Sequence, residues 1–365
     1  MSWIKKSLFL TIGWIIILIP ALILMEFLCR SLFPQTAWME ARRINVIRDV
    51  TYRFGIDHLY PYPEDTITYT RDEYGLRMRC RDPAEVDILT IGGSTTDQRY
   101  IDDGETFQIV LEDYLEKKLG RDICVANAGL DGHSTHGHLL AFQHWFPLIP
   151  NLKPKHIIFY IGLNDSPFRN GPTIGFDVID ESIVKNYLRA NSIIYQSLRD
   201  AKYALLNQGT KFAYGGHAPK VDIDFPATRL SDGVSAIAEG HAKSFSTRLV
   251  RLLDYTRELG ARPICVSQPH RSVVDTDQGK RGIAYTFSVN GVDFNGLDAD
   301  FTLQKTNQVM REVCGEALYM DLYSKEFSAG SFYDYVHTTP KGSREIGLYL
   351  ASEYEQLGLI RDLLE

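Results

Sequence analysis

The sequence contains few cysteines, and their spacing excludes the common metal-binding patterns. The five cysteines among the 365 residues are Cys29, Cys80, Cys124, Cys265 and Cys314. No two of them stand at the spacing of zinc ligands, and there is no Cys-x-x-Cys motif. Cys124 and Cys265 each lie inside an apolar run, where a small buried thiol is expected. The sequence therefore predicts a chain that is not stapled by disulfides, although this does not fix its compartment.

The chain also lacks the block of Lys and Arg that nucleic-acid-binding proteins carry. It has 39 Lys and Arg against 46 Asp and Glu, a net charge of -7 with the two signs interleaved. Its 44% hydrophobic and 23% charged residues are typical of a globular protein. Internal repeats and low-complexity tracts are absent. These features argue against fibrous and disordered classes and against DNA or RNA as a partner.

One long uncharged apolar run is present near the N-terminus. It extends from Ser7 to Met25 and reads SLFLTIGWIIILIPALILM, which is long enough to cross a bilayer as a helix. A cleaved signal peptide is the alternative, but the run exceeds a normal signal core and no small-x-small cleavage site follows it. The sequence predicts an N-terminal tip and membrane anchor within residues 1–30. Basic residues on both sides leave the orientation undecided by the positive-inside rule, and we expect the remaining chain on the extracytoplasmic, periplasmic, side.

After a Tyr- and Pro-rich connecting region at 31–85, with short strands, apolar runs alternate with amphipathic segments across 86–365. This alternation is typical of an α/β domain whose parallel sheet is covered by helices on both faces. Residues 166–243 interrupt it as an insertion, which is either a lid or a surface excursion. About five strands are predicted, at 88–91, 123–126, 156–161, 263–267 and 317–322, with helices at 106–119, 136–145, 245–259, 301–314 and 340–357.

Residues with useful chemistry follow several of these strands directly. Ser94 comes after the first strand, the turn Gly129–Gly132 after the second, and Asn164 after the third. Asp334 and His337 lie in the loop before the last helix. The carboxyl ends of parallel strands lie along one edge of a sheet, so these residues can meet there.

Together these residue types match the needs of acyl transfer. A serine hydroxyl is a weak nucleophile that requires an adjacent base, and His337 can be that base because a histidine pKa lies near neutrality. Asp334 can hold the other ring nitrogen and so fix the tautomer. The tetrahedral intermediate needs donors for its negative oxygen. The candidates are the backbone N–H groups of Ser94 and Gly132 and the side-chain amide of Asn164.

Four blocks, Gly-x-Ser, Asn-Ala-Gly-x-x-Gly, Gly-x-Asn-Asp and Asp-x-x-His, occur here in the order found in the SGNH hydrolase superfamily, also called GDSL esterases and lipases. The chain resembles that family across residues 86–349. The resemblance implies a flavodoxin-like three-layer α/β/α sandwich. It also implies Ser94 as nucleophile, His337 as base, Asp334 as its orienter, and Gly132 and Asn164 as oxyanion donors.

The chain departs from the family pattern before the serine, where the usual acidic residue is replaced by Gly93. In the second block either glycine could be the donor, and Gly132 is preferred because the family's glycine lies several residues beyond the strand. Other neighbours of the blocks are candidates for the pocket. They are Gly93, Thr95, Gly129, His133 and Asp165, of which Asp165 can instead tie the Asn164 loop.

Four histidines near the second block, His133, His136, His138 and His144, suggest a metal site. No carboxylate or cysteine stands at a characteristic distance from them, so we expect neither a metal nor another cofactor. The favoured interpretation is that they cap the following helix or, for His133, line the pocket.

The sequence thus predicts a membrane-anchored serine ester hydrolase acting on an acylated glycan or lipid-linked saccharide. An O-acyltransferase that uses the same acyl-enzyme is one alternative, and sequence does not separate the two. A non-catalytic glycan-binding or assembly protein on the same fold is another, and the intact set of Ser94, Asn164, Asp334 and His337 argues against it. The oligomeric state is not indicated.

Overall fold

The structure of the protein is a computed structural model. It describes residues 17–28, 38, 41, 44–166, 192–195, 198, 223–284, 288–289 and 291–364. Most of the predicted insertion at 166–243, including its possible lid, lies outside these residues. Of the predicted membrane span, residues 17–25 are described, within a helix over residues 17–28. Among the described residues, no helix is long and apolar enough to cross a membrane.

We number the helix over residues 17–28 as α1, and the remaining helices and strands follow in chain order. The strands are β1 (Val50–Gly55), β2 (Thr66–Arg71), β3 (Ile88–Gly92), β4 (Val125–Asn127), β5 (His156–Tyr160), β6 (Arg262–Val266), β7 (Val273–Thr276), β8 (Gly279–Gly282), β9 (Ser288–Val289), β10 (Val292–Asp293) and β11 (Tyr319–Met320). The helices are α2 (Ser94–Asp97), α3 (Phe107–Leu119), α4 (Thr135–His144), α5 (Val234–Glu258), α6 (Gly296–Cys314) and α7 (Pro340–Gln356).

Five of these strands form one parallel sheet in the order β11-β6-β5-β3-β4. Numbered along the chain, this is the 2-1-3-4-5 order of flavodoxin-like folds, in which ligands bind at the carboxyl ends of the strands. The predicted α/β class, the parallel five-stranded sheet and the flavodoxin-like topology are therefore confirmed.

Helices cover both faces of the sheet, and its strands are therefore buried on both sides. Along β3, Ile88 packs with α3 and α7, whereas Leu89 and Ile91 pack with α4 and α5 on the opposite face. This alternation follows from the two-residue period of a strand. The result is the predicted three-layer arrangement, which leaves the carboxyl edge of the sheet free for a site.

The connecting region forms a hairpin, in which β1 and β2 pair antiparallel with Val50 opposite Arg71. Its inward residues Phe54, Ile67 and Tyr69 form an aromatic cluster with Tyr100 and Tyr333. The hairpin thereby packs against the edge of the sheet where the predicted site residues lie.

Two helices begin earlier than the sequence pattern suggested. Helix α5 begins at Val234, inside the predicted insertion, and α6 begins at Gly296. The start of α6 is fixed by Asn295, whose side chain accepts from the N–H of Asp298 while the Asp298 side chain accepts from Asn295. This reciprocal cap stabilises a first turn that has little apolar periodicity. The two short hairpins β7–β8 and β9–β10 were not predicted.

The prediction of a chain without disulfides is wrong. Cys80 is bonded to Cys124, and Cys265 is bonded to Cys314. The apolar surroundings of Cys124 and Cys265 were interpreted correctly as buried, but each thiol has a partner brought to it from another element. Because the bonded cysteines are 44 and 49 residues apart in the sequence, no local motif indicates which of them pair.

Candidate active site

The nucleophile candidate lies at the turn that follows β3. Gly93 precedes α2, and Ser94 is the first residue of that short helix. Thr96 anchors the turn, because its hydroxyl donates to the carbonyl of Tyr160 at the end of β5 over 3.3 Å. The side chain of Ser94 is therefore presented at the carboxyl edge of the sheet.

Ser94, His337 and Asp334 form one hydrogen-bonded chain. His337 Nε2 lies 2.8 Å from Ser94 Oγ, and His337 Nδ1 lies 2.7 Å from Asp334 Oδ2. In the neutral imidazole, Nδ1–H donates to the carboxylate, which leaves Nε2 to accept from the serine hydroxyl. The side chain of Asp334 is 3% exposed, so water does not compete for it. The loop that carries both residues is held by Asp334 Oδ1, which accepts the backbone N–H groups of Val336 and His337.

The imidazole of His337 is also held from one side. The ring of Tyr333 stacks on it with centroids 5.7 Å apart and planes 10° from parallel. The triad geometry is thus fixed by its own hydrogen bonds and by an aromatic neighbour, which limits the imidazole to one orientation.

The candidate oxyanion donors lie on three adjacent turns. Asn164 is in the 3₁₀ turn Leu163–Asp165 after β5, and its Nδ2 donates to the carbonyl of His133 over 2.9 Å. One of its two amide hydrogens remains for a ligand. Gly132 directly precedes His133 and has φ of +77°, a conformation that favours glycine. Among the described residues, the backbone N–H groups of Ser94 and Gly132 have no acceptor.

The second glycine of this block, Gly129, is unsuited to that role. Its N–H already donates to Asn127 Oδ1 over 2.8 Å. A Cβ on Gly129 would lie 2.3 Å from the backbone nitrogen of Asp97, so the residue is needed for close approach to α2. The structure therefore favours Gly132 over Gly129 as the donor.

Gly93, which stands where the family pattern has an acidic residue, lies against the side chain of Asn164. A Cβ at Gly93 would lie 2.3 Å from Asn164 Nδ2, closer than nonbonded atoms approach. Any side chain at this position would displace the Asn164 amide from its place beside Ser94. Gly93 of the first block and Asn164 of the third block are therefore in direct contact.

Thr95 and Asp165, predicted as pocket candidates, hold the turns together. Gln268, at the end of β6, donates from Nε2 to Thr95 Oγ1 over 2.6 Å and accepts the Leu163 N–H over 2.7 Å. Asp165 accepts from the backbone and hydroxyl of Thr135 and lies 3.2 Å from the guanidinium of Arg248. Burial raises the pKa of Asp165 against these partners. The role of Gln268 was missed, although its position after a central strand was a usable signal.

The prediction that His133 lines the pocket is wrong. Its ring is 1% exposed and its Nε2 lies 2.8 Å from the carbonyl of Ile44 in the connecting region. Burial lowers the pKa of His133 to about 4, so the ring is neutral near pH 7. Its backbone carbonyl, not its imidazole, touches the site through Asn164.

His136 and His138 do not cap the first turn of α4 as predicted, whereas His144 lies in its last turn. Ser134 accepts the His136 N–H, and Asp165 accepts the Thr135 N–H, so these two side chains satisfy the first turn. His138 is buried, with its ring centroid 5.9 Å from that of His133, and burial lowers its pKa well below the usual value. Within the described residues, no group of three or more potential metal ligands is found.

Two arginines from the connecting region were not anticipated as part of the site. The guanidinium of Arg71, 1% exposed, binds Asp97 Oδ1 at the end of α2 and the carbonyls of Gly129 and Asn127. Arg77 donates to the carbonyls of Asp97 and Gln98. A sequence signal existed, since the strand TITYTR places Arg71 on the same inward face as Ile67 and Tyr69.

The charge of Asp97 is maintained by these cations. Burial by itself would raise the pKa of its carboxyl, but Arg71, Arg99 and Arg77 hold the pKa below its usual value. The Tyr69 hydroxyl donates to the same carboxylate over 2.8 Å. The end of α2 is therefore fastened by a buried ion pair to the turn that carries Gly129.

Over most of its length, the chain matches a known protein family. A family model described as GDSL-like lipase/acylhydrolase matches residues 88–350. No curated protein matches the sequence. Among solved structures, a catalytic mutant of the acetylxylan esterase Axe2 from Geobacillus stearothermophilus is similar, with 12% identity, a TM-score of 0.40 and coverage of 74% of this chain and 92% of that one. TesA has 12% identity, a TM-score of 0.39 and coverage of 74% and 98%. The esterase EstA from Pseudoalteromonas sp. has 14% identity, a TM-score of 0.39 and coverage of 74% and 96%.

Proposed function

This chain belongs to the GDSL-like lipase/acylhydrolase family and is a hydrolase of ester bonds, and we propose that Ser94, His337 and Asp334 are its catalytic triad. The observation that carries the proposal is the continuous hydrogen-bonded chain from Ser94 Oγ through both nitrogens of His337 to Asp334. Such a chain activates a serine that would otherwise be a weak nucleophile.

The proposed acylation step follows from this geometry. His337 Nε2 takes the hydroxyl proton as Ser94 Oγ bonds to the ester carbonyl carbon. The carbonyl oxygen becomes an oxyanion that accepts from the N–H groups of Ser94 and Gly132 and from Asn164 Nδ2. The intermediate then collapses, the ester C–O bond breaks, and the leaving alkoxide takes the proton from His337.

Deacylation repeats these reaction steps with water as the attacking group. His337 removes a proton from the attacking water, and a second tetrahedral intermediate forms at the acyl carbon. Its collapse breaks the bond to Ser94 Oγ, which recovers the proton from His337. The products are one carboxylic acid and the free enzyme, so atoms and protons balance with no cofactor in the scheme.

We further propose that the substrate is an acylated glycan or lipid-linked saccharide and that the enzyme is held at a membrane. The uncharged run Ser7–Met25 supports the anchor. The two disulfides support an extracytoplasmic location, because such bonds persist in oxidising compartments. A topology reporter fused to the C-terminus tests the location, and a signal from the cytoplasmic side would contradict it.

Fluorophosphonate labelling of the full chain, measured by intact mass, tests the triad without knowledge of the substrate. We expect one adduct that is absent in Ser94→Ala and forms about 10³-fold more slowly in His337→Ala. Ser244→Ala, at an exposed serine on α5, is the matched control and should label like the wild type. Absence of labelling in folded wild-type protein would contradict an activated serine.

Product analysis with an acyl donor and a saccharide acceptor separates hydrolysis from transfer. We expect free acid to exceed acylated acceptor, since the proposed second step uses water. Transfer in excess of hydrolysis would replace the hydrolase assignment with that of an O-acyltransferase.

A further inference from the structure

A cavity of about 1270 Å³ lies beside the loop that carries Asp334 and His337. Its walls are formed mainly by residues 57–63 of the connecting region, residues 269–271 after β6 and residues 327–333 before Asp334. Glu105, Tyr323, Lys325 and residues 339–341 complete the lining. Its volume suits a ligand larger than a short acyl group. Residues 57–63 precede the part of the chain that matches the family model, so this wall is an addition to the shared domain.

The cavity is in contact with the loop that carries Asp334 and His337. Tyr333 lines it and stacks its ring on the imidazole of His337, and Tyr60 stacks on Tyr333 with centroids 5.8 Å apart. On the adjacent wall, the backbone N–H of Arg271 donates to the carbonyl of Tyr335 over 2.7 Å. A ligand in the cavity would therefore lie against the residues that position the catalytic base.

Several polar groups on the walls lack partners within the described residues. Neither ring nitrogen of His58 has a hydrogen-bond partner, although Nδ1 lies 3.7 Å from Asp57 Oδ1, and its side chain is 26% exposed. Glu105 Oε2 is also without one, although the Glu105 side chain accepts from the Tyr62 phenol. The half-buried guanidinium of Arg271 has none either. These groups supply donors and acceptors of both charge signs around a single space.

Aromatic rings also line the cavity. Tyr62 and Tyr323 line the cavity with phenols held by Glu105 and Asp300 respectively, so their rings are fixed in orientation. Fixed aromatic faces with hydrogen-bonding groups around them match a pyranose, which has apolar C–H faces and hydroxyls at its edge. An acyl chain fits poorly, because it would cover ionisable side chains such as His58, Glu105 and Arg271 without binding them.

We propose that this cavity binds a saccharide chain, which is the glycan part of the acylated substrate. The assignment rests on the proposed function only in naming the bound chain as substrate, since binding itself requires no turnover. A saccharide hydroxyl both donates and accepts, so it can satisfy Arg271, His58 and Glu105 in turn. Remote binding of this kind places the ester relative to Ser94 and raises the effective concentration of the reacting groups.

Isothermal titration calorimetry on the full chain in detergent micelles tests the inference. The probes are the β-1,4-linked hexasaccharides of glucose, xylose, mannose and N-acetylglucosamine, with decanoate as an acyl-chain probe. We expect at least one hexasaccharide to bind and Arg271→Ala and Tyr62→Ala each to weaken it about tenfold. Arg257→Ala, an exposed arginine on α5, is the matched control and should bind like the wild type.

Three outcomes would overturn the inference. These are no binding of any hexasaccharide to folded protein, binding that both cavity variants leave unchanged, or binding of decanoate that both variants abolish. Fluorophosphonate labelling of Ser94 in the same preparation separates this result from the proposed function. Labelling without saccharide binding rejects the cavity assignment alone, and saccharide binding without labelling rejects the esterase alone.

Discussion

Gly93 lies against the side chain of Asn164, and this contact determines what can stand beside the nucleophile. The space that a Cβ would need is occupied by Asn164 Nδ2 at 2.3 Å. The amide also donates to the His133 carbonyl, so it cannot move aside without losing a hydrogen bond. The residue that departs from the family pattern therefore leaves the space that the Asn164 amide, the proposed oxyanion donor, occupies.

Gly93→Ala should reduce turnover with little loss of stability. The added Cβ displaces Asn164, and loss of one oxyanion donor lowers kcat by about 10²- to 10³-fold. Steady-state hydrolysis of p-nitrophenyl acetate measures the effect, with urea unfolding as the stability check. Gly240→Ala is the matched control, because no atom lies within 4 Å of its Cβ position. Wild-type kcat in Gly93→Ala would contradict the role of this contact.

His133 connects the site to the connecting region through a ring that is neutral when the protein is folded. Its pKa is lowered by burial to about 4, against an ordinary 6.5. Between these two values the unfolded chain binds a proton that the folded chain does not, so the free energy of unfolding falls as the pH falls. Between these two pKa values, His133 lowers the free energy of unfolding by about 3 kcal/mol in total.

His133→Gln should flatten that pH dependence. Glutamine retains a donor for the Ile44 carbonyl but does not titrate, so the variant loses less stability than the wild type as the pH falls from about 6.5 to about 4. Urea unfolding at several pH values measures the difference, and the contributions of groups that do not interact with His133 cancel in the comparison. Equal slopes in the two proteins would show that His133 does not contribute.

At the scale of elements, the short helix α2 depends on the hairpin that precedes the sheet. A four-residue helix has almost no stability of its own. Arg71 of β2 fixes its last residue, Asp97, and at the same time binds the carbonyls of the turn that follows β4. The connecting region is therefore a structural part of the site. From the sequence, the α/β domain was predicted to begin at residue 86, which placed this region outside it.

Arg71→Met should destabilise the protein by about 3–5 kcal/mol, because it leaves the buried Asp97 carboxylate without its closest partner. Urea unfolding measures the loss, and adding Asp97→Asn should recover part of it by removing the uncompensated charge. Arg257→Met removes an exposed pair with Asp254 and should change stability by at most about 1 kcal/mol. Similar losses in the Arg71 and Arg257 variants would exclude a buried ion pair.

At the scale of the whole molecule, the two disulfides join separate layers. Cys80–Cys124 ties the connecting region to the start of β4, and Cys265–Cys314 ties β6 to the end of α6. Each closes a long loop, which restricts the unfolded chain more than the folded one. All four bonded cysteines lie in or against the same hydrophobic cluster on one face of the sheet, so the cross-links reinforce that part of the core.

Reduction should lower the free energy of unfolding by about 2–4 kcal/mol for each bond. Urea unfolding with and without reductant measures this, and the double variants Cys80→Ser/Cys124→Ser and Cys265→Ser/Cys314→Ser separate the two contributions. Intact mass after alkylation without reduction verifies the bonds first. Alkylation of all four cysteines in native protein would contradict the pairing.

The sequence by itself determined the fold class and the central chemistry. Continuous apolar runs such as 156–160 can be buried only on both faces, which requires helices above and below a parallel sheet. The residues proposed for acyl transfer, Ser94, Asn164, Asp334 and His337, were singled out because each follows a strand or precedes the last helix. These are local signals, since a turn, a strand end and a residue type are visible within a few positions.

Only the tertiary structure decided what holds that chemistry in place. The contacts of Arg71 with Asp97, of Gly93 with Asn164 and of Cys80 with Cys124 join residues 26, 71 and 44 positions apart. No periodicity or motif encodes such pairs, because each depends on how two elements pack after the chain has folded. For the same reason His133, which was predicted to line the pocket, is instead buried against Ile44. Local preference selects the elements, and long-range packing determines which side chains meet.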